Sequence, residues 1–192
     1  SANSASSPPT IVANHASYAD HFFVETVVDA VRGTPTWFPT KAESFVKPTS
    51  RLWHEAWFCY PVDRESPTSE VFERAAAILA AGHVLCLYPE GTRGAGEQLQ
   101  AFKTGAFRIA LAAGAPIVPV GLAGLHRVMP KGSRWLTNQT GAVAFGAPIL
   151  PATQPEDPRA EVTRLLELTR AQVEHLMLQA DEADAQQVAD GA

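Results

Sequence analysis

The sequence predicts an α/β domain with a mixed, largely parallel sheet covered by helices. Two patterns point there. Short β-branched apolar runs alternate with stretches of helical periodicity over most of the chain. Several of those runs stop abruptly in loops rich in Gly, Pro or Asn. In such sheets the crevice at the carboxyl ends of the strands is the expected site.

The elements follow in order. "TIVANH" is a short buried strand, and "SYADHFFVETVVDAVRG" then turns helical, with Val24, Val27, Val28 and Val31 at helical spacing. Ser17 is placed as its N-cap, with Asp20 three residues on as in a capping box, and Gly33 is its stop. "TPTWFPTK" holds a second strand. "SRLWHEAWFCYPVDR" is aromatic-rich and reads as a helix followed by an extended segment. "TSEVFERAAAILAAG" is a helix with acidic first turns, ended by Gly82. "HVLCLYPEG" is a buried strand running into a Pro/Gly loop, and "QAFKTGAFRIALAAG" a helix ended by Gly114. "APIVPVGL" is a strand whose two prolines place it near an edge or a strand end. "GAVAFG" is one more strand. "PRAEVTRLLELTRAQVEHLMLQ" is a long helix with Val162, Leu165, Leu166, Val173, Leu176 and Met177 on or near one face.

The 192 residues suit one domain with a sizeable core. We place a linker or expression remnant at 1–9, the folded domain at 10–180 and a disordered acidic tail at 181–192. A net charge of -5 gives no basic field for nucleic acid. Two cysteines, Cys59 and Cys86, make no disulfide scaffold, so a reducing compartment is the default. No signal peptide is evident, and no apolar run approaches the roughly 18 residues of a membrane span. P-loop and dinucleotide fingerprints are both lacking, so ATP and NAD sites have no support.

"NHASYAD" places His15 five residues before Asp20. On one continuous helix they would point about 140° apart. With the helix starting at Ser17, His15 lies in the preceding loop and Asp20 can face back to it. A carboxylate on one ring nitrogen fixes the tautomer and raises the basicity of the other. The alternative is that Asp20 only caps and His15 only packs. A Gly-x-Ser-x-Gly elbow is lacking, so a base here would act on a substrate hydroxyl directly. "LYPEGTRG" adds Glu90, Gly91, Thr92 and Arg93 after a strand. The glycines permit close backbone approach, and Arg93 suits a phosphate or carboxylate; alternatively Glu90 and Arg93 pair with each other. Lys41, Arg64 and Lys103 are further cations that would serve an anion site or simply lie at the surface.

Together these blocks resemble the glycerolipid acyltransferase family that includes bacterial 1-acyl-glycerol-3-phosphate acyltransferases. "NHASYAD" is similar to its Asn-His-x4-Asp block, "YPVDR" to its second, "LYPEGTRG" to its Pro-Glu-Gly-Thr-Arg block and "APIVPVGL" to its Pro-centred fourth. The resemblance runs from about Thr10 to Leu150. It implies a glycerol-3-phosphate acyltransferase-like fold and O-acyl transfer in phospholipid biosynthesis. His15 would be the base on the acceptor hydroxyl and Asp20 its orienting partner. The donor would be acyl-CoA or acyl-carrier protein, and the acceptor a lysophospholipid such as 1-acyl-glycerol-3-phosphate. Arg93, Glu90, Gly91 and Thr92 would hold the acceptor's phosphate region, Arg64 and Lys41 would add to that anion site, and Pro119 would shape a pocket. Neither a cofactor nor a metal is implied. The family also implies work at the cytoplasmic face of a membrane, peripheral for this stretch, and "SANSASSPP" suits an interdomain linker in a longer protein that carries other domains.

Two departures stand out. The family carries hydrophobic helices ahead of the His-Asp block, where this chain has a dozen or so residues, and it carries a glycine before the second block, where this chain has "HEAWFCY". Trp53, Trp57 and Phe58 form either a membrane-facing patch or a buried cluster. The mixed charges of the last helix favour packing on the domain over lying on lipid. Two other functions keep the same fold: a lipid-binding regulatory module without chemistry, and an acyl thioesterase in which water replaces the acceptor.

Overall fold

The computed structural model describes residues 8–63, 69–92, 94, 98–130, 133 and 135–190. Among them, six strands form one sheet in the order β3-β2-β4-β1-β5-β6. β1 (Thr10–Ala13) lies between β4 (Val84–Leu87) and β5 (Ile117–Ala123), parallel to both. β2 (Thr36–Lys41) and β3 (Cys59–Val62) extend the parallel sheet on the β4 side. β6 (Ala142–Phe145) closes the other edge antiparallel to β5. "TIVA" and "VLCL" are wholly buried, because a central parallel strand has a helix layer on each face.

Alternate residues of each strand feed two cores. Val12, Leu85, Leu87 and Ile117 pack with Phe107 and Leu165 beneath α3 (Ser69–Ala80), α4 (Gly105–Ala113) and α6 (Pro158–Asp190). Ile11, Cys86, Val120 and Leu122 pack on the opposite face with Val24 and Val28 of α1 (Ala19–Arg32) and Leu125 of the short α5 (Leu125–Val128). Val24 and Val28 carry the α1 contact; Val31, expected on the same stripe, is 78% exposed. Both cysteines are free and buried.

β5 lies one strand in from the edge, between β1 and β6, as its prolines suggest. Pro116 does lie at its start, but Pro119 lies inside and pairs with Val12. It is tolerated because the β6 ladder stops at Val120↔Phe145 and the next bridge is Ile117↔Ile149. No ladder bond calls on the donor that proline lacks, while the Pro119 carbonyl accepts from Gly146 N at 2.9 Å. Two expectations need correction. α4 begins at Gly105, so Lys103 lies in the loop before it rather than in its first turn. The tail expected to be disordered from residue 181 is instead helical through Asp190. Asp184 explains this: it is buried and accepts from Thr140 Oγ1 at 2.6 Å and from Arg127 Nη2, tying the end of α6 to the β5–β6 connection. α6 also crosses β5 so closely that a Cβ on Gly121 would lie 2.3 Å from the Leu176 carbonyl carbon.

"SRLWHEAWFCYPV" resolves into α2 (Pro48–Ala56) and β3, joined by Trp57 and Phe58. Phe58 takes φ 52, a left-handed conformation that glycine adopts without strain. The Phe58 carbonyl accepts from Phe38 N at 3.0 Å, and its ring packs edge-on to Trp37 at 5.6 Å. Those contacts offset a backbone cost of about 1–2 kcal/mol.

Candidate active site

β1 and β4 are neighbours, so the loops after their carboxyl ends, carrying His15 and Glu90, meet. Asn14 fixes the exit of β1. Its side chain donates to Leu122 O at 3.0 Å and accepts from Leu122 N at 2.8 Å, imitating one more ladder residue against β5. The chain then turns into α1. The helix starts at Ala19 with Tyr18 at its N-cap and no side-chain cap, one residue later than expected; Ser17 Oγ, just ahead of it, accepts from Ala19 N at 3.1 Å and donates to Met129 O at 2.9 Å. Asp20, in the first turn and fully buried, returns its Oδ2 to the amides of Ala16 (2.8 Å) and Ser17 (2.9 Å) and to His15 Nδ1 (2.8 Å). The two alternatives read from the sequence therefore meet in part: Asp20 holds the turn that leads into the helix and also holds the histidine.

A carboxylate at Nδ1 accepts a hydrogen bond, so Nδ1 carries the proton and Nε2 presents its lone pair. Nε2 makes no hydrogen bond among the described residues. The imidazole lies against the Tyr88 ring, with centroids 4.2 Å apart and planes 18° from parallel, and His21 meets its edge at 5.8 Å.

Glu90 does not face outward. It is buried, with Oε1 accepting from His15 N at 2.7 Å and Oε2 from Gln100 N at 3.0 Å. His15 O in turn accepts from Gly94 N at 2.8 Å. Glu90 therefore clips the His15 loop to its own, which is a positioning arrangement rather than a surface offered to an anion. Burial pushes its carboxyl above the usual range, against the lowering effect of the Gln100 and His15 amides.

Two cavities flank this centre on opposite faces of the sheet. One, of about 300 Å³, is lined by Val62, Phe72, Leu87 and Ile109, with Gly91 and Lys103 among its polar borders. Lys103 N donates to Pro89 O at 2.9 Å, and a Cβ on Gly91 would lie 2.9 Å from Lys103 Nζ. Gly91 (φ 75) thus supplies both the turn and the room for that ammonium. Lys103 is exposed and makes no ion pair among the described residues. The other cavity, of about 470 Å³, is lined by Tyr18, His21, Phe22, Trp53, Trp57 and Met129, with no Lys or Arg among the described residues.

The sequence-derived candidates divide as follows. His15, Asp20, Glu90 and Gly91 are gathered at one point, and Thr92 follows Gly91 in the same loop. Lys41 ends β2, is exposed, and lines neither flanking cavity. Pro119 is buried in β5 and lines neither as well. Arg64 and Arg93 lie outside the described residues. The sequence reading missed Tyr88 as a ring partner of His15 and gave Lys103 only a weak hint. The aromatic just before the Pro-Glu-Gly run was the available signal for Tyr88. Trp53 is exposed, whereas Trp57 and Phe58 are half-buried, Trp57 edge-on to Phe22 at 4.5 Å. The expected patch and the expected cluster are therefore both present in part.

A buried carboxylate–imidazole pair stands at the carboxyl end of a parallel sheet, and the comparisons say which family carries it. The family model for "Acyltransferase" matches residues 2–123, and the chain belongs to that family. It is 31% identical over 137 residues to the chloroplastic 1-acyl-sn-glycerol-3-phosphate acyltransferase BAT2 of Brassica napus, covering 70% of this chain and 38% of that protein. It is equally 31% identical over 137 residues to LPAT1 of Arabidopsis thaliana, a chloroplastic protein of the same printed activity, covering 70% of this chain and 37% of that one. The chain thus spans under two fifths of the length of these relatives. The crystal structure of the 1-acyl-sn-glycerophosphate (LPA) acyltransferase PlsC from Thermotoga maritima superposes with a TM-score of 0.62 at 22% identity, over 88% of this chain and 67% of that one, and shows the same α/β fold.

Proposed function

We propose that this chain transfers a fatty acyl group from acyl-CoA or acyl-carrier protein to the free hydroxyl of a 1-acyl-glycerol-3-phosphate-like lysophospholipid. The observation that carries this reading is the buried 2.8 Å contact between His15 Nδ1 and Asp20 Oδ2. Asp20 holds the proton on Nδ1, and Nε2 takes the proton from the acceptor hydroxyl as its oxygen attacks the thioester carbonyl. The new C–O bond forms, the C–S bond breaks, and the proton on Nε2 passes to the departing sulfur. Such a base contributes roughly 10²–10⁴ in rate. The scheme balances with the two substrates alone, so we assign it no cofactor or metal.

Lys103, beside Gly91 at the mouth of the smaller cavity, supports a phosphate-bearing acceptor on that side. We assign Arg93 and Thr92 to the same anion site, together with Arg64 and Lys41. The cavity of about 470 Å³ on the other side, whose lining among the described residues is rich in aromatic side chains, suits the acyl chain of the donor. Exposed Tyr18 (47%) and Trp53 (57%) rim that cavity, with Leu52 (71% exposed) next in sequence. Aromatic residues of this kind favour a lipid–water interface, which supports peripheral contact with a membrane surface; we assign that contact to the cytoplasmic face. No helix of the described residues is long and apolar enough to cross a membrane.

The test is free-thiol release from palmitoyl-CoA with and without lysophosphatidic acid, for the wild type and His15→Ala. Release that needs both acceptor and His15 is expected. Acceptor-independent release would make the chain a thioesterase instead.

A further inference from the structure

We propose that Tyr88 is the positioning residue of His15, the flat surface that holds the imidazole so that Nε2 faces the acceptor. The kinetic arm of this inference rests on the acyl-transfer reading above; its structural arm does not.

Among the described residues the His15 ring makes one hydrogen bond, at Nδ1. A ring tethered at one atom can still swing about that bond, and its opposite nitrogen sweeps the widest arc. Tyr88 removes that freedom by lying face to face with the imidazole at 4.2 Å and 18°. Tyr88 is itself fixed from two sides. Its ring lies nearly parallel to Phe38, 13° apart with centroids 6.5 Å apart, and tilted against His21 at 5.3 Å. Two residues further along, Glu90 binds the His15 amide at 2.7 Å. One short loop after β4 therefore grips His15 twice, ring by ring and amide by carboxylate.

The ring face, not the hydroxyl, is what reaches His15. The Tyr88 oxygen is sealed from solvent, and burial holds the phenol protonated by raising its pKa well above the usual value. A π face also suits the chemistry, because His15 becomes an imidazolium in mid-reaction and a cation is attracted to an aromatic face.

Two variants test this. Tyr88→Phe keeps the ring and is expected to leave kcat within about twofold. Tyr88→Leu removes the ring and is expected to lower kcat roughly 10- to 30-fold with little change in the KM for palmitoyl-CoA, whose proposed cavity Tyr88 does not line; Tyr88 does line the cavity beside Lys103, so the KM for the acceptor can move with it. Tyr88→Met replaces the leucine variant should that one not fold. The independent readout is the His15 Cε1–H resonance in a carbon–proton spectrum, assigned by its loss in His15→Ala. Stacking on Tyr88 shifts it upfield; the shift is expected to persist in Tyr88→Phe and vanish in Tyr88→Leu. An unshifted resonance in the wild type, or a folded leucine variant with wild-type kcat, would overturn the proposal. A wild type that shows the shift yet turns over no substrate would overturn acyl transfer instead, leaving the stack established.

Discussion

Asp20 Oδ2 lies 2.8 Å from His15 Nδ1 and serves at the same time as the acceptor for the Ala16 and Ser17 amides. One oxygen thus sets the start of α1 and the tautomer of the histidine. Asp20→Asn keeps the shape and an acceptor oxygen but removes the charge that favours an imidazolium. We expect kcat to fall about 10²- to 10⁴-fold with KM nearly unchanged, measured by steady-state thiol release. A loss confined to KM would place Asp20 in substrate binding.

Glu90→Gln isolates the clip between the two loops. The carboxylate accepts two amides, one on each oxygen. Glutamine has one carbonyl oxygen, and its NH2 would meet an N–H. One buried amide is left without a partner, which costs about 1–3 kcal/mol. Thermal unfolding should show a lower Tm by several degrees, together with reduced kcat because the His15 main chain is released. An unchanged Tm would show that the clip carries no stability.

Lys103→Ala addresses the acceptor side. The ammonium sits beside Gly91 with no ion-pair partner among the described residues. We expect the KM for a phosphate-bearing acceptor to rise about tenfold and the KM for palmitoyl-CoA to stay within twofold, consistent with the loss of one charged contact. Equal effects on both substrates would remove Lys103 from the acceptor site.

The acid stability of the domain follows from Glu161. Hydrogen bonds from Arg164, at 2.7 Å to each oxygen, hold its carboxyl at about 2. A depressed carboxyl stabilises the fold above its unfolded value of 4.5, and that contribution is lost as pH falls towards about 2. Glu25 and Glu90 act in the opposite sense, because burial raises both, so their contributions fall as pH rises above 4.5. The difference in Tm between the wild type and Glu161→Gln isolates the first effect. It should shrink steadily between about pH 5 and pH 2; a constant difference would contradict the pairing.

The sequence made the sheet legible because β1 and β4 are unbroken apolar runs, and only a strand buried on both faces needs that pattern. The His15–Asp20 pair was legible too, because the helix start fixes where a first-turn carboxylate points. Relationships that depend on distant main chain were not. Glu90 looked like an anion binder because its partners, the amides of His15 and Gln100, have no side-chain signature. The end of α6 looked like a tail because its polar composition hides one buried residue, Asp184, whose partners Arg127 and Thr140 lie 57 and 44 positions away. The place of Pro119 inside β5 was equally hidden: a proline costs no ladder bond where the neighbouring strand breaks off, and composition alone does not reveal that break.

The most direct measurement is product formation. Wild type and His15→Ala, both shown to be folded by circular dichroism, would be given isotope-labelled palmitoyl-CoA and lysophosphatidic acid in detergent, and the lipids followed by mass spectrometry. We expect labelled phosphatidic acid with the wild type and a yield at least 10²-fold lower with His15→Ala. Equal labelled product from the folded His15→Ala variant would contradict the assignment of His15 as the base.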